Sequence, residues 1–314
     1  MGKGPSGVLK ASTQHSILVH HSVSKLKGKS PLRYAGGKSR AVKFLMTKLP
    51  SGEITEYREA FLGGGSMAFA FSTKYPDVPI WVNDLYYNLY CFWTSLQKDP
   101  DLFAECIHEC KIKAAETGVD GHRELFIRCK EEIQTATDPW EIGVRWYILN
   151  KTSFSGLTEN GTFAPATMDS NFGLLNISKL AAYGHHIKDW RITNQDYTSL
   201  LEDTTDSTLI FLDPPYDKVG KNGKSVLYGK NGEMHTGFSH TDFFEACQDN
   251  ASKILITYDS NPTLREVWDS WPQVEWDLTY TFHSSKVYRA AESKRKELLL
   301  ANYNILDHSL EAFL

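Results

Sequence analysis

Short continuous apolar runs alternate along the chain with longer stretches whose apolar residues recur every three or four positions. The runs are typical of buried parallel strands, and the longer stretches are typical of helices packed on them. The clearest run, 208–212, ends abruptly in Asp213, Pro214 and Pro215. Other strand patterns lie at 80–82, 190–193 and 252–259. This alternation predicts an α/β fold with an open, mainly parallel sheet.

The end of the run at 208–212 predicts a binding site. A double proline stops the hydrogen-bonding ladder, so we expect Asp213 at the carboxyl end of a central strand, where ligands bind to α/β sheets. Proline fixes the backbone and has no N–H, so the carbonyls of Asp213 and Pro214 can act as rigid acceptors beside the ring of Tyr216. Acceptors next to an aromatic plane suit a planar group with an exocyclic amine, such as adenine. A turn that merely ends a buried strand is the alternative interpretation.

The run Asp213-Pro214-Pro215-Tyr216 resembles the catalytic motif of amino-methyltransferases that methylate N6 of adenine in DNA. Related enzymes that methylate amides use a similar motif. The resemblance implies catalytic roles for all four residues, with adenine flipped out of the helix and stacked on Tyr216. It also implies direct attack on the methyl group of S-adenosylmethionine, without a covalent enzyme intermediate.

Two glycine-containing elements precede this motif. The first, 34–38, reads Tyr-Ala-Gly-Gly-Lys, and a P-loop is disfavoured there because Leu32 stands where that loop needs a glycine. The second, 61–68, fits a G-x-G-x-x-A turn between a strand and a helix, and Asp84 follows the next strand, where ribose hydroxyls would lie. NAD and S-adenosylmethionine both fit this pattern, and a glycine turn that only packs a helix on a sheet is the other interpretation.

Both elements are similar to those of Dam-type (alpha-group) DNA adenine-N6 methyltransferases, in which they precede the catalytic motif in the same order. The resemblance covers residues 31–303 and implies a Rossmann-like methyltransferase fold with a mixed seven-stranded sheet. By resemblance, the contacts to S-adenosylmethionine are Tyr34, Lys38, Phe61, Gly63, Gly65, Asp84 and Asp213. Asp196, which follows the strand pattern at 190–193, is expected either to accept from the cofactor's adenine amine or to cap the next helix.

Three helical patterns between residues 96 and 185 interrupt the strand patterns and predict an inserted, mainly helical subdomain. At its end, Asn160-Gly161 predicts a β-hairpin within 149–163. A hairpin can enter the major groove of DNA, while an apolar side chain beside it fills the space that a flipped base leaves. We therefore expect this subdomain to recognise the target.

The same segment resembles the target-recognition region of Dam-type enzymes. The resemblance implies that Lys151 contacts phosphate, that Phe154 and Leu157 border the target site, and that Glu159 and Asn160 lie on the hairpin. Members that read GATC have an arginine where Glu159 stands. A carboxylate accepts from cytosine N4 rather than donating to guanine, which argues against a GATC target.

Charge is segregated along the chain. The net charge of the 314 residues is −4, yet the first fifty residues contain no Asp or Glu and are strongly basic. Residues 1–28 are predicted to be a basic flexible arm, which either contacts phosphate or is simply solvated. The predicted catalytic domain is 29–95 with 186–314, and 96–185 is the target-recognition domain. We also expect 217–237 to be a loop that closes over the flipped base. A last hairpin is predicted from two strands at about 279–284 and 297–303, with a basic loop at 286–296 between them.

Other classes of protein fit less well. The sequence contains no run of 18 apolar residues, so it predicts no membrane span. Its five cysteines and eleven histidines lack the spacing of metal ligands. We expect a soluble cytoplasmic enzyme of a bacterial or phage-infected cell, which acts in DNA methylation or restriction-modification. It should be a monomer or a weak dimer, and it should bind double-stranded DNA and no metal. The alternatives are a NAD-dependent oxidoreductase, which has no use for the proline acceptors, and a non-catalytic DNA-binding relative.

Overall fold

The structure, a computed structural model, describes residues 29–34, 37–215, 238–260, 262–278 and 295–305. The predictions for the arm 1–28, for Tyr216, for the loop 217–237 and for most of the basic loop concern residues outside these ranges. The chain forms two compact units, which we call the sheet unit (27–90 and 189–314) and the helical unit (91–188). The predicted domain boundaries lie a few residues from these divisions, and the roles given to the two domains stay predictions.

The sheet unit contains one mixed sheet. Its strands are β1 (Glu56–Glu59), β2 (Ile80–Asn83), β3 (Arg191–Thr193), β4 (Thr208–Leu212), β5 (Lys253–Asp259), β6 (Gln273–Leu278) and β7 (Arg295–Ala301). The order is β3-β2-β1-β4-β5-β7-β6; the first five strands are parallel, and β7 is antiparallel to both of its neighbours. This confirms the predicted α/β fold with a mixed seven-stranded sheet.

The helices follow the apolar periodicity of the sequence. They are α1 (Val42–Met46), α2 (Ser66–Lys74), α3 (Tyr87–Lys98), α4 (Pro100–Ala115), α5 (Gly118–Glu132), α6 (Pro139–Thr152), α7 (Leu174–Ile177), α8 (Leu180–His186), α9 (His240–Cys247) and α10 (Pro262–Val267). Helices α4 and α6 begin at the same signal, an aspartate followed by proline. Asp99 accepts from the amide of Leu102 and Asp138 from that of Trp140, so each carboxylate satisfies an amide of the first turn.

The arrangement of parallel strands gathers the site at one edge of the sheet. All five residues of β4 are buried, as expected for a central strand covered on both faces. Strand β1 lies between β2 and β4, with Glu59 paired to Val82 on one side and to Phe211 on the other. The carboxyl ends of β1, β2, β4 and β5 therefore meet along one edge, which is where Asp84 and Asp213 follow their strands.

Strand β7, which pairs antiparallel with β6, lies close to the second strand of the predicted last hairpin, 297–303. Its partner β6 lies ahead of the predicted 279–284, and those later residues are outside the described ranges. The signal for β6 is the alternation of Val274 and Trp276 with polar neighbours, a period of two that a strand with one covered face requires.

The β-hairpin predicted within 149–163 is wrong. After α6 the backbone makes two 3-10 turns, Phe154–Gly156 and Thr158–Asn160. In this fully described segment, one isolated antiparallel bridge, from Ser153 to Phe163, takes the place of a strand pair. The segment is therefore a compact loop that is closed at its base.

The physical reason lies in the turn itself. A two-residue hairpin turn at Asn160-Gly161 needs positive φ at both positions, but Gly161 has φ −81°. Left-handed backbone occurs earlier, at Ser155 (φ 53°) and Thr158 (φ 48°). Gly161 is required for space instead, since a Cβ there would lie 2.7 Å from the Cβ of Ser153.

Replacement of Gly184 in α8 should destabilise the helical unit. Helix propensity alone predicts a gain of about 1 kcal/mol for Gly184→Ala. A Cβ at this position, however, would lie 2.5 Å from the carbonyl oxygen of Leu96 and 2.7 Å from Cβ of Pro100. Overpacking of this kind costs about 1–3 kcal/mol, so we expect a lower free energy of unfolding in urea. A rise in stability for Gly184→Ala would contradict the packing.

Candidate active site

Asp213 follows β4 at the carboxyl edge of the sheet, as predicted. Its side chain is 21% exposed, and its Oδ1 accepts hydrogen bonds from two donors. The Nζ of Lys38 lies 2.8 Å away, and the Oγ1 of Thr257 on β5 lies 2.7 Å away. The two donors hold the carboxylate in one orientation at the mouth of the site.

Lys38 belongs to a short 3-10 turn, Lys38–Arg40, that follows Gly37. Its side chain is only 4% exposed, so its positive charge requires a nearby anion. Besides Asp213, the Oε2 of Glu297 on β7 lies 3.9 Å from Nζ, and Glu297 is buried. One ammonium is thus placed between two carboxylates. The sequence did not indicate Glu297, because nothing local distinguishes it from other charged strand residues.

The glycine loop between β1 and α2 has the backbone that its sequence requires. Gly63 and Gly65 have positive φ values of 49° and 70°, and α2 begins directly afterwards. A Cβ on Gly63 would lie 2.7 Å from the ring of Tyr34. The structure therefore brings Tyr34 into close packing against the loop, and only glycine allows this approach.

Asp84 braces the same loop. Its Oδ2 accepts from the amide of Gly63 at 2.8 Å, and its Oδ1 accepts from the amide of Tyr86 at 2.9 Å. Burial raises the pKa of Asp84 to about 6, while the two amides oppose that increase. The carboxylate thus fixes the backbone at the start of the predicted cofactor site, and the predicted ribose contact is left as a prediction.

Glu59 is a buried acid that the sequence analysis missed. It ends β1, immediately before the glycine loop, and accepts from the hydroxyl of Tyr57 at 2.7 Å and from the backbone of Ala68. Burial raises the pKa of Glu59 to about 8, and the nearby charges of Asp213 and Asp84 contribute to the increase. The available signal was the position of this acid, a few residues ahead of the glycine loop, because strand β1 itself is largely polar in sequence.

Aromatic side chains pack on one another close to the end of β1. Phe61 stacks with Tyr197 at a centroid distance of 5.7 Å and packs edge-on against Phe238 at 5.9 Å. Pro214 is buried and Pro215 is half-buried, and Tyr216 is the next residue, outside the described ranges. The proline pair therefore continues directly from the strand end, as the sequence suggested.

Asp196 takes one of the two roles that the sequence left open. Its Oδ1 accepts from the amide of Thr198 at 3.0 Å and from the Thr198 hydroxyl at 2.7 Å, which caps the 3-10 helix Tyr197–Leu200. Its side chain is exposed. The cap is present, and the contact with the cofactor's adenine amine stays a prediction.

The residues predicted to contact DNA lie in the helical unit and differ in exposure. Phe154 is 55% exposed and Asn160 is exposed, whereas Leu157 and Glu159 are half-buried. Lys151 is buried, with its Nζ 5.4 Å from the centroid of the Tyr147 ring. A phosphate contact by Lys151 therefore needs a change in its side-chain position. Phe154 needs no such change to contact DNA, because its side chain is already exposed.

Two absences hold for the parts of the chain that the structure describes. Within these parts, no group of three or more His, Cys, Asp or Glu side chains is arranged to hold a metal ion. None of the helices there has the length and apolar character needed to cross a membrane.

Known proteins similar to this chain include several DNA methyltransferases. A family model described as D12 class N6 adenine-specific DNA methyltransferase matches residues 34–282. The chain is 23% identical over 279 residues to the Type II methyltransferase M.CviBI of Paramecium bursaria Chlorella virus NC1A, covering 87% of this chain and 98% of that protein. It is 24% identical over 217 residues to the Type II methyltransferase M.MjaIII of Methanocaldococcus jannaschii, covering 63% and 73% respectively.

Two more similarities complete the comparison. The DNA adenine methylase of Salmonella typhi is 22% identical over 286 residues, covering 88% of this chain and 96% of that protein. Among solved structures, the rRNA methyltransferase aviRa from Streptomyces viridochromogenes is 9% identical, with a TM-score of 0.32 and coverage of 87% of this chain and 88% of that one.

The raised pKa of Glu59 predicts how stability depends on pH. In the folded state the carboxyl group of Glu59 keeps its proton up to about pH 8, whereas the ordinary pKa of this group is 4.5. The stabilisation is therefore complete below the lower value and is lost as the pH rises through the higher one. Asp84, with a pKa of about 6, contributes with the same sign. Glu59→Gln keeps the shape without the charge, so its free energy of unfolding should fall less between about pH 5 and pH 8 than that of the wild type.

Urea unfolding at several pH values across this interval measures the effect. Glu53→Gln, at an exposed position just ahead of β1, is the matched control and should keep the wild-type slope. Equal slopes for Glu59→Gln and the wild type would show that Glu59 does not carry the proton.

Proposed function

Since the chain belongs to the D12 class N6 adenine-specific DNA methyltransferase family, we propose that its methyl donor is S-adenosylmethionine and that Asp213 acts directly on the adenine amine. The single observation that supports this most strongly is the contact between Asp213 and the buried ammonium of Lys38 at 2.8 Å. It joins the predicted catalytic motif to the predicted cofactor lysine. Membership of this family also sets aside the NAD-dependent oxidoreductase.

The glycine loop supports the assignment of the donor. Tyr34 packs against Gly63 so closely that a Cβ could not be accommodated, and Asp84 fixes the amide of the same residue. This leaves a backbone surface that a nucleoside can approach, with Phe61 at its side. We assign the following residues to the donor: Tyr34, Lys38, Phe61, Gly63, Gly65, Asp84, Asp196 and Asp213.

Charge favours a cationic donor over a neutral one. The carboxyl edge carries the carboxylates of Asp84 and Asp213, and a third carboxylate, that of Glu297, lies 3.9 Å from the ammonium of Lys38. Bound S-adenosylmethionine supplies an electrophilic methyl carbon on a positively charged sulfonium. An acidic pocket stabilises such a cation through Coulomb attraction, which acts strongly where water is excluded.

The catalytic motif prepares the nucleophile. The Asp213 carboxylate and the Pro214 carbonyl accept hydrogen bonds from N6, which makes the nitrogen lone pair available, and Tyr216 stacks on the flipped base. N6 then forms a bond to the methyl carbon as the carbon–sulfur bond breaks, and one N6 proton passes to Asp213. Pro215 keeps the turn rigid.

The helical unit supplies target recognition in this proposal. Phe154 and Leu157 border the flipped base in double-stranded DNA, Lys151 and Asn160 contact the DNA, and Glu159 favours a target other than GATC. The enzyme acts as a monomer or weak dimer on the DNA of a bacterial or phage-infected cytoplasm, within DNA methylation or restriction-modification. Methylation-aware sequencing of DNA from an expressing host identifies the target.

Replacement of Asp213 should abolish methyl transfer without unfolding the protein. Asp213→Ala removes the acceptor for N6, and we expect the transfer of labelled methyl groups from S-adenosylmethionine to DNA to fall by about 10²–10³-fold or more. Asp206→Asn is the matched control, because Asp206 is exposed at the opposite end of β4.

Calorimetry separates catalysis from binding in the same variants. The wild type should bind S-adenosylmethionine, and Asp213→Ala should remain folded by circular dichroism. Near-normal turnover in Asp213→Ala would refute the catalytic assignment, and absence of S-adenosylmethionine binding by the wild type would refute the assigned donor.

Replacement of Phe154 should slow methylation by weakening the flipped state. Base stacking on an aromatic side chain is worth about 1–3 kcal/mol, so Phe154→Ala should reduce the rate by about tenfold or more, while Phe154→Tyr should retain most of it. The matched control is Leu175→Ala, at an apolar residue of the same unit that is 64% exposed. The same loss in Phe154→Ala and Leu175→Ala would argue against a specific role for Phe154.

A further inference from the structure

A buried hydroxyl lies directly behind the proposed catalytic carboxylate. Strand β5 is the parallel neighbour of β4, with Leu212 paired to Ile256. The next residue along each strand brings Thr257 beside Asp213, and the Thr257 hydroxyl donates to Asp213 Oδ1 at 2.7 Å. Thr257 is completely buried.

Its surroundings make the hydroxyl unusual. The neighbouring strand residues Leu255, Ile256 and Tyr258 are all fully buried. Valine has nearly the same shape as threonine and would suit such a strand, and a buried hydroxyl is disfavoured unless it has a partner. The hydrogen bond to Asp213 provides that partner, so packing alone does not account for threonine here.

The second donor to Asp213 is less rigid. Lys38 reaches Oδ1 through a long side chain, and its ammonium is shared with Glu297 at 3.9 Å. The terminal torsion of an aspartate side chain has a broad preference, so one flexible donor allows the carboxylate plane to rotate. Thr257 is attached to a central strand by a short side chain, and a donor on the same oxygen prevents that rotation.

We propose that Thr257 is a positioning residue for methyl transfer, whose hydroxyl fixes the plane of the Asp213 carboxylate toward the adenine amine. This inference rests on the proposed role of Asp213. Thr257 touches neither substrate nor donor in it, and it acts only through the carboxylate. Because attack at the methyl carbon depends steeply on the orientation of the amine, loss of the hydroxyl should affect the rate of the chemical step rather than binding.

The test compares variants that differ in the hydroxyl. Thr257→Val removes the donor while keeping the shape, and kcat should fall by about 10–100-fold with KM for S-adenosylmethionine and DNA within about twofold of the wild type. Thr257→Ser restores the hydroxyl and should recover most of the rate. The matched control is Thr208→Val on β4, since Thr208 is also buried and its Oγ1 accepts from the amide of Thr205 at 3.1 Å, far along the strand from Asp213. It should lower stability without lowering kcat.

The outcomes separate this inference from the proposed function. Wild-type kcat in Thr257→Val, or failure of Thr257→Ser to recover the rate, overturns the role of Thr257. If Asp213→Ala is also inactive in that case, the proposed function is retained. Substantial activity in Asp213→Ala instead refutes the proposed catalytic role itself. Should Thr257→Val fail to fold, Thr257→Ala gives the same hydroxyl-free comparison through the same kcat and KM measurements.

Discussion

The ion pair of Lys38 with Asp213 is the interaction on which the site depends. A buried ammonium and a partly buried carboxylate are costly to remove from water, and each is tolerated because the other lies 2.8 Å away. The pair joins the segment before α1 to the end of the central strand β4. Since removal of either partner takes away the nearest opposite charge of the other, the same contact that orders the site also makes it sensitive to substitution.

The other acids near this pair, Asp84 and Glu59, stabilise the backbone around the site. Asp84 fixes the glycine loop through the amides of Gly63 and Tyr86, whereas Glu59 joins the end of β1 to the start of α2. Their raised pKa values follow from the same burial that keeps water from the edge of the sheet. Asp213 differs because its side chain is partly exposed, which the catalytic role proposed for it requires. Position along one sheet edge thus gives similar side chains different roles.

Much of the fold could be predicted from the sequence because its signals are local. Asp213 and Asp84 each close an apolar run, and Asp-Pro pairs mark two helix starts. The turn at Asn160-Gly161 was predicted wrongly because tertiary packing against Ser153 outweighs the local preference of that dipeptide. Thr257 and Glu297 could not be identified, since their importance comes from strand register and from contacts between residues far apart in the chain. Glu59 lay between these cases, with a local signal that was overlooked.

Strand β7 is the last of the described strands, yet it occupies an interior place in the sheet, between β5 and β6. The pairing of β7 with β5 joins strands that are separated by many residues in the chain. Such pairing has a large cost in loop-closure entropy, so it is expected late in folding. Among the described strands, β6 pairs with β7 alone, and Glu297 reaches the vicinity of Lys38 through the same strand. A nascent chain that has not yet released β7 from the ribosome therefore has an incomplete sheet and lacks the Glu297 carboxylate near Lys38. Topology alone thus ties maturation of the site to the synthesis of β7.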